Sequence, residues 1–408
     1  MTTHLSTAPL STEAWHAHDG LLALAAALGT ARIVGGAVRD TLLDIPVADI
    51  DLATPLSPEA VIERVTAAGF KAVPTGIAHG TITAVLPGGP VEVTTLRRDV
   101  ATDGRHAVVA FTDDWREDAG RRDFTMNALY ADPVTGDLYD YFDGLTDLRA
   151  GRVRFIGDPL CRIAEDHLRI LRFFRFHARF GDAIDDAGLE ACTERANDLM
   201  ALSRERIASE LLKLLVTAGA VPVVGLMVER GILRAVLPEI DTDGVARLAL
   251  LARREGDSGV AADAVRRLAA LVPAATAENV GARLKLSNTD RKRLVAATHG
   301  PGAEGPRALA YRHGLISATD RLLLSGSDPA ALAGRTPPPL PIGGGALVER
   351  GLRKGPQVAA VLRAVETQWI AEGFPPASRV LELADDAVVQ ALRSASIDQA
   401  AAPSSGRA

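Results

Sequence analysis

The spacing of apolar residues divides the chain into two regions. Up to about residue 150, short β-branched runs alternate with glycine turns, as in ARIVGG, ADIDLA, GTITAVL and VEVTTL. Such runs are typical of short strands, so this region is predicted to be α/β or α+β. From about residue 160 the spacing becomes helical, as in CRIAEDHLRILRFFRFHARF and RERIASELLKLLVTAG. The rest of the chain is therefore predicted to be all-α.

Turn and capping signals interrupt the helical region. They occur at VLPEIDTDG, TAENV, LSNTD, THGPGAEGP and GRTPPPLPIGGG, and they predict two or more small helical subdomains. The ending SIDQAAAPSSGRA is predicted to be a disordered tail.

Composition narrows the class of protein. A chain of 408 residues with 47% apolar content is long enough for two to four globular units. A net charge of −6 argues against a uniformly basic surface but allows a local basic one. Cys161 and Cys192 form no CxxC pattern, which fits a reducing cytoplasm and indicates neither a disulfide framework nor structural zinc. The apolar run LLALAAALG is too short to span a bilayer, and we expect neither export nor a membrane anchor.

Two aspartates stand in the apolar run VADIDLA. Side chains alternate along a strand, so Asp49 and Asp51 are expected on one face while Ile50 and Leu52 lie on the other. Like charges at this spacing repel each other unless a cation neutralises them. A function outside the core is therefore expected for this pair.

A glycine turn precedes the aspartates in ARIVGGAVRD, residues 31–40. The segment fits a short strand, a Gly-Gly turn and a helix from about Ala37, where backbone N–H groups can approach a phosphate and Arg39 can add charge. A phosphate site beside two carboxylates suits metal-assisted nucleotidyl transfer. The sequence has no Gly-Lys dipeptide and no GxGxxG after a strand, which excludes a P-loop and a dinucleotide fingerprint.

Three further segments carry candidate chemistry. Glu92 in VEVTTLRR is either an exposed strand residue or a third carboxylate near the metals, and the following DVATDGRHAVVAFTDDW is expected to be a mobile loop. RRDFTMNALY, residues 121–130, is predicted to open an amphipathic helix. Cations are disfavoured at a helix N-terminus, so the two arginines are expected to face an anion.

The third segment is EDHLRILRFFRFHARF, residues 165–180. In a continuous helix Asp166 and Arg169 would be neighbours, with Arg172 and Arg175 extending a basic ladder. An ordinary intrahelical ion pair with a solvated stripe is the alternative. The arginines of this region face only Asp158, Glu165 and Asp166 as countercharge in the local sequence, an excess that suits triphosphate or RNA. These arginines are Arg152, Arg154, Arg162, Arg169, Arg172, Arg175 and Arg179. The phenylalanines, Phe173, Phe174, Phe176 and Phe180, are expected in the core rather than as base-stacking platforms.

The motifs, taken in order, resemble the class II tRNA nucleotidyltransferases, the CCA-adding enzymes, and their relatives the bacterial poly(A) polymerases. IVGGAVRD followed by DID resembles the metal and triphosphate motif, and RRDFTMNAL the second motif. YFDGLTDLRAGRVRFIGDP resembles the hinge, EDHLR the nucleobase motif EDxxR, and RERIASELLKLL the RxxxE helix. The resemblance runs nearly unbroken from about 31 to 215, with a looser match near PPLPIGGGALVERGLRKGPQV.

The resemblance implies an α+β fold: an N-terminal head of the polymerase-β nucleotidyltransferase type with a small mixed sheet, followed by an all-α neck, body and tail. The implied ranges are 24–150 for the catalytic head, 151–218 for the neck with its nucleobase pocket, 219–335 for the body, 336–395 for the tail and 396–408 for the disordered end.

The resemblance also implies site residues. Asp49 and Asp51 would hold Mg²⁺, with two ions expected, and Glu92 would be a third catalytic acid. The implied nucleotide-binding residues are Gly35, Gly36, Arg39, Arg122, Asp123, Asn127, Asp166, Arg169, Arg172 and Arg175.

The implied reaction is template-independent addition of CCA to the tRNA 3′ end from CTP and ATP, with no membrane and no obligate protein partner. A poly(A) polymerase, an enzyme adding only CC or only A, and a non-catalytic RNA-binding protein are the alternatives. The loop of residues 97–115 argues against an A-only enzyme. The sequence departs from the family pattern at GGGAL, which lacks the acidic residue expected in the tail segment. The helical half contains no His-Asp metal segment, so we predict no appended phosphohydrolase domain.

Overall fold

The computed structural model describes residues 10–102, 107–334 and 337–401. The strands lie in the first part of the chain, as predicted. They are β1 (Arg32–Val34), β2 (Asp51–Thr54), β3 (Lys71–Gly76), β4 (Thr81–Leu86), β5 (Gly89–Thr95), β6 (Arg97–Thr102), β7 (Ala107–Phe111), β8 (Leu129–Ala131) and β9 (Leu138–Asp140).

Seven strands form one mixed sheet in the order β3-β4-β5-β2-β1-β8-β9. The pair β2–β5 is parallel, and the other neighbouring strands are antiparallel. β1 and β2 occupy the centre because their apolar residues, Ile33 and Leu52, are fully buried. The central position of β2 holds the aspartate segment between β1 and β5.

The helices of the described chain confirm that the second part is helical. They are α1 (Glu13–His16), α2 (Leu21–Leu28), α3 (Gly36–Leu42), α4 (Pro58–Ala67), α5 (Trp115–Gly120), α6 (Gly144–Arg149), α7 (Pro159–Glu165), α8 (Leu168–Phe180), α9 (Asp186–Glu194), α10 (Arg204–Leu215), α11 (Ala220–Glu229), α12 (Thr242–Asp257), α13 (Ala264–Leu271), α14 (Ala277–Arg283), α15 (Asn288–Thr298), α16 (Pro306–His313), α17 (Leu315–Ser325), α18 (Gly344–Glu349), α19 (Pro356–Ala371) and α20 (Ala377–Ala401). Short 3₁₀ helices are Ile77–His79, Thr125–Asn127, Ala196–Ala201, Ala274–Thr276 and Pro329–Leu332.

Internal contacts divide the chain into two compact units. The first contains the chain up to residue 249 with 262–272 and 279–287, and the second contains 250–261, 273–278 and the chain from 288. In the second unit, Trp369 is buried and donates its indole N–H to the Pro375 carbonyl at 2.9 Å. The finer division into head, neck, body and tail stays a prediction.

Three predictions of local structure are wrong. RRDFTMNALY does not open a helix: it follows the end of α5, passes through the 3₁₀ turn Thr125–Asn127 and enters β8. The predicted long helix is broken at Asp166, which has extended backbone (φ −150°, ψ 104°) between α7 and α8. Residues 97–115 contain the hairpin β6–β7 rather than only a loop, and residues 103–106 lie outside the described chain.

Two predicted boundaries also differ from the structure. The start of the head at residue 24 falls inside α2, so the structured region begins earlier, with Trp15 and Leu21 fully buried. Residues 396–401 belong to α20 rather than to a disordered tail, and 402–408 lie outside the described residues. Within the described chain, no helix is long and apolar enough to cross a membrane.

Candidate active site

A cavity of about 440 Å³ in the first unit contains most of the predicted site residues. All of them line it except Asp49 and Glu92, which lie nearby on the β2 and β5 side. Val34 and Phe176 line it as well, and neither was predicted. The lining residues are Val34, Gly35, Gly36, Arg39, Asp51, Arg122, Asp123, Asn127, Asp166, Arg169, Arg172, Arg175 and Phe176.

The carboxylates gather where β2 and β5 run in parallel. Asp51 is the first residue of β2, and it lies directly beside Glu92 of β5 in the strand register. Asp49 precedes the strand and, like Asp51, is exposed, whereas Ile50 and Leu52 are buried. The alternation predicted from VADIDLA is therefore present, although the strand itself begins only at Asp51.

Electrostatics at Asp51 match a site built for a cation. Although the residue is exposed, the surrounding protein displaces enough solvent to raise the pKa of its carboxyl, and the charge of Glu92 raises it further. Arg122 opposes this rise, and Asp49 adds to it. The protein thus holds negative charges together at an energetic cost, which a bound cation would remove.

The carboxylates at this place suit a magnesium ion whose remaining ligands come from water and substrate rather than from protein side chains. Among the described residues, no group of three or more histidine, cysteine, aspartate or glutamate side chains could hold a metal by itself. Mg²⁺ usually keeps several waters and binds through one or two carboxylates together with substrate phosphates. Asp49 and Asp51 therefore suit a metal that arrives with a phosphate ligand.

The glycine turn between β1 and α3 forms one wall of the cavity. Gly35 has φ +73°, a conformation that favours glycine, and its N–H donates to the Leu129 carbonyl at 3.0 Å. The turn leads into α3, where Arg39 is buried. Arg39 donates to Asp40 through Nε and Nη2 at 2.9 and 2.7 Å, and to the Asn127 side chain through Nη1 at 2.6 Å. Burial lowers the pKa of Arg39, and the charge of Asp40 offsets part of this effect.

The anion expected opposite Arg121 and Arg122 is a residue of the protein. Asp118, buried in α5, accepts from Arg121 at 2.9 Å, from Arg122 at 3.1 Å and from the Tyr130 hydroxyl at 2.6 Å. Burial alone would raise the pKa of Asp118, but Arg122 and Arg121 hold it below its ordinary value. The two arginines do face an anion, as predicted. The reason given for it was wrong, because Arg121 and Arg122 follow the end of α5 instead of opening a helix.

A hydrogen-bond chain connects α3 with α8 across the cavity. Asn127 donates to Asp123 Oδ1 at 3.0 Å, and Arg172 Nε donates to Asp123 Oδ2 at 2.7 Å. With the Arg39–Asn127 bond, the chain runs from Arg39 to Arg172. Burial would raise the pKa of Asp123, but Arg172 and Asn127 keep it below its ordinary value. These donors therefore hold Asp123 ionised at neutral pH.

The EDHLR segment places Asp166 and Arg169 at the cavity with different partners from those expected. Asp166 accepts from the Leu168 N–H at 3.1 Å and from Arg206 Nη2 at 3.1 and 3.0 Å. Arg169 pairs with Glu165 at 2.5 Å and donates to the Arg162 carbonyl at 2.8 Å. The ordinary intrahelical pair Asp166–Arg169 is thus replaced by two separate pairs, because the helix breaks at Asp166.

The predicted excess of positive charge around residues 152–179 is smaller in the structure than the local sequence indicates, but it does not disappear. Each arginine counted there has a carboxylate within 4 Å, and several of these carboxylates lie far away in sequence. The pairs are Arg152 and Arg154 with Asp147, Arg162 and Arg169 with Glu165, Arg172 with Asp123, Arg175 with Glu210, and Arg179 with Asp40. The seven arginines thus share five carboxylates, so the region is a network of ion pairs that keeps part of its positive charge.

Sequence reasoning missed the partners of the site residues. Arg206 holds Asp166, and Glu210 holds Arg175 at 2.5 Å. Both belong to the RERIASELLKLL helix, where a spacing of four residues places them on one face. That spacing was the available signal. Nothing local identified Asp118 or Phe176.

The chain is similar to known proteins in both sequence and fold. The family model described as "Poly A polymerase head domain" matches residues 31–154, and the model described as "Probable RNA and SrmB- binding site of polymerase A" matches 183–243. The chain is 36% identical to a Mus musculus protein named "CCA tRNA nucleotidyltransferase 1, mitochondrial" over 370 residues, 84% of this chain and 83% of the relative.

Two further relatives are bacterial. The "CCA-adding enzyme" of Leuconostoc citreum is 40% identical over 206 residues, which cover 50% of each chain. The crystal structure of the Bacillus stearothermophilus CCA-adding enzyme in complex with CTP superposes with a TM-score of 0.70 at 26% identity, covering 92% of this chain and 98% of that chain.

Proposed function

Because the chain belongs to the CCA tRNA nucleotidyltransferase family, we propose that it adds CCA to the 3′ end of tRNA, using CTP and ATP. One observation carries the proposal: the Asp51 carboxylate, the glycine turn at Gly35 and the two side chains Asp166 and Arg169 all line the same cavity. Metal-assisted phosphoryl chemistry and base recognition can therefore act on one bound nucleotide. The relatives named above for CTP or CCA addition support this substrate assignment.

The carboxylate end is where the reaction takes place. Nucleotidyltransferases of this fold generally use a divalent metal, and we propose Mg²⁺, as two ions, held by Asp49 and Asp51. When bound, the metal stabilises the charge of the attacking and leaving oxygens during in-line transfer. Glu92, beside Asp51 in the sheet, adds negative charge at this place. Arg39 and Arg122 bind the triphosphate, and Gly35 with Gly36 leaves room for close backbone approach.

Base choice follows from hydrogen-bond geometry at the other end. Cytosine and adenine each present an exocyclic amine beside a ring nitrogen acceptor, and Asp166 accepts while Arg169 donates. Uracil and guanine present the reverse pattern and would leave buried groups unpaired. Arg206 orients the Asp166 carboxylate, and Glu165 orients the Arg169 guanidinium. Protein side chains thereby replace a nucleic-acid template.

The experiment supplies purified protein with tRNA lacking its 3′ end, Mg²⁺, and CTP alone, ATP alone, or both. The proposal predicts CC from CTP alone and termination at CCA with both. A long A tract on unrelated RNA would identify a poly(A) polymerase, the alternative consistent with the names of the matching family models. Addition of only CC or only A with both nucleotides present would identify a partial enzyme. Unchanged incorporation by Asp49→Ala with Asp51→Ala would refute the metal assignment. The cytoplasmic location stays a prediction.

A further inference from the structure

Phe176 is the apolar side chain on which three arginines of the cavity converge. The Cζ atoms of Arg39, Arg172 and Arg175 lie 5.3, 5.3 and 4.4 Å from its ring centroid. The residue is only 5% exposed, yet it lines the cavity. Cations within about 6 Å of an aromatic ring are attracted by its quadrupole.

Each of these arginines is also held by its own carboxylate. Arg39 pairs with Asp40, Arg172 with Asp123 and Arg175 with Glu210. A carboxylate fixes one edge of a guanidinium but leaves rotation about that contact possible. For Arg172 and Arg175 the ring adds a second constraint to the carboxylate, whereas for Arg39 it adds to both the carboxylate and the hydrogen bond to Asn127.

We propose that Phe176 is a positioning residue that sets the orientation of these three guanidiniums toward the bound nucleotide, and so governs affinity for CTP and ATP alike. The inference rests on the proposed function for its substrates. Phe176 itself reads no base, because a hydrocarbon ring offers neither donor nor acceptor. Replacing Phe176 by a residue without a ring should therefore lower the affinity for CTP and the affinity for ATP by the same factor.

Neighbouring phenylalanines provide graded controls. Phe180 lies 4.3 Å from the Cζ of Arg39 and 4.7 Å from that of Arg179, so it reaches only one arginine of the cavity. Phe173 is fully buried and stacks on Phe155 at 5.6 Å. Its ring contacts are with other phenylalanines rather than with the cavity arginines.

The test compares Phe176→Leu, Phe180→Leu and Phe173→Leu with Phe176→Tyr, which keeps the ring. For Phe176→Leu we expect KM for CTP and for ATP to rise about tenfold each, equivalent to about 1.4 kcal/mol, with a smaller change in kcat. We expect about threefold for Phe180→Leu and less than about twofold for Phe173→Leu, following the number of cavity arginines contacted. Phe176→Tyr keeps the ring, and its KM should stay within about threefold of the wild-type value.

Calorimetric CTP binding without tRNA, together with thermal unfolding, separates the possible failures. If wild-type protein binds CTP but extends no RNA, the proposed function fails, while the binding series still tests Phe176. Equal losses in Phe176→Leu and Phe173→Leu, an effect on only one nucleotide, or no loss in Phe176→Leu would overturn the inference. If Phe176→Leu does not fold, Phe176→Met takes its place with the same expected loss, because it fills the space without a ring.

Discussion

The two ends of the cavity handle charge in opposite ways. At the β2 end, Asp51 lies beside Glu92, and the pKa of Asp51 is raised by the solvent that the surrounding protein displaces and by the charge of this neighbour. At the α8 end, Arg172 and Arg175 each have a carboxylate of their own. One end therefore keeps an unfavourable concentration of negative charge, whereas the other is already neutralised. The first suits an incoming cation, and the second suits oriented donors that need no reorganisation when substrate binds.

The largest effect expected is on the carboxylate end. Asp51→Asn should lower nucleotide incorporation by about three orders of magnitude, because metal stabilisation of the transition state is worth several kcal/mol. The same change should leave the free energy of unfolding at pH 7 equal or slightly higher, since it removes a repelled charge. Incorporation kinetics and urea unfolding measure the two quantities.

Asp44→Asn is the matched control for this change. Asp44 is exposed, and its φ of 54° is a conformation that asparagine accepts readily. It should keep wild-type incorporation. A marked loss of stability in Asp51→Asn would show that the acidic end is not electrostatically strained.

At the α8 end, removing a carboxylate should lower the free energy of unfolding rather than leave it equal or raise it. Asp123→Asn removes the partner of Arg172 and is expected to lower the free energy of unfolding by about 2 kcal/mol at pH 7, less than for a fully buried pair, because the half-buried guanidinium of Arg172 loses its countercharge. Asp185→Asn, which replaces one good helix N-cap by another, should be nearly neutral. Urea unfolding of the three proteins measures both differences.

The sign of the pH dependence follows from the lowered pKa of Asp123. Its stabilisation is present above the unfolded value of about 3.9 and disappears as the pH falls through the folded pKa. The difference in the free energy of unfolding between wild type and Asp123→Asn should therefore stay constant from pH 7 to about pH 5 and narrow as the pH falls further, toward about pH 2. A difference that stays constant over this whole range would mean that packing, not charge, makes Asp123 important.

Arg206→Gln tests whether the partner of Asp166 contributes to base selection. Without the pair at 3.0 Å the carboxylate is less firmly oriented, and discrimination of CTP and ATP against UTP and GTP should fall by about fivefold, a modest loss because both side chains are partly exposed. Lys213→Gln, an exposed cation on the same helix, is the control. Ratios of kcat/KM for the four nucleotides measure the effect, and equal losses in both variants would contradict it.

The smallest effect expected is a shift in the acid limb of the activity profile. Asp51 must be ionised to hold a metal, and its raised pKa means that activity falls at a higher pH than for an ordinary aspartate. Glu92→Gln removes a charge that raises this pKa, so its acid limb should move to lower pH. A profile of kcat/KM from pH 5 to 8 measures the shift. An acid limb that does not move would show that Glu92 does not influence the protonation of Asp51.

Local pattern was sufficient where local chemistry decides the structure. The strand, turn and helix around Gly35 and the alternation at Asp51 were predicted correctly because glycine backbone freedom and strand pleating are short-range effects. The change in apolar spacing near residue 150 predicted an α/β or α+β region followed by helices, and the resemblance of the motifs to the nucleotidyltransferase family implied α+β. The same resemblance implied most of the nucleotide-binding residues.

Long-range pairing explains what could not be predicted. Arg172 pairs with Asp123, 49 residues earlier, and Arg175 with Glu210, 35 residues later, so counting charges in the local sequence overestimated the basic excess. RRDFTMNALY has helix-like spacing, yet its apolar residues are buried by a 3₁₀ turn and a strand. Periodicity cannot separate these outcomes when tertiary packing overrides local preference.

Thermal unfolding in increasing Mg²⁺, at a fixed concentration of CTP that supplies the phosphate ligands, tests the contrast between the two ends most directly. The account predicts that Mg²⁺ raises the Tm of the wild type, because it binds the folded carboxylate end, and raises it far less in Asp51→Asn. Asp44→Asn should respond as the wild type does. An equal response in Asp51→Asn and the wild type would contradict the claim that this end of the cavity is built to hold a cation.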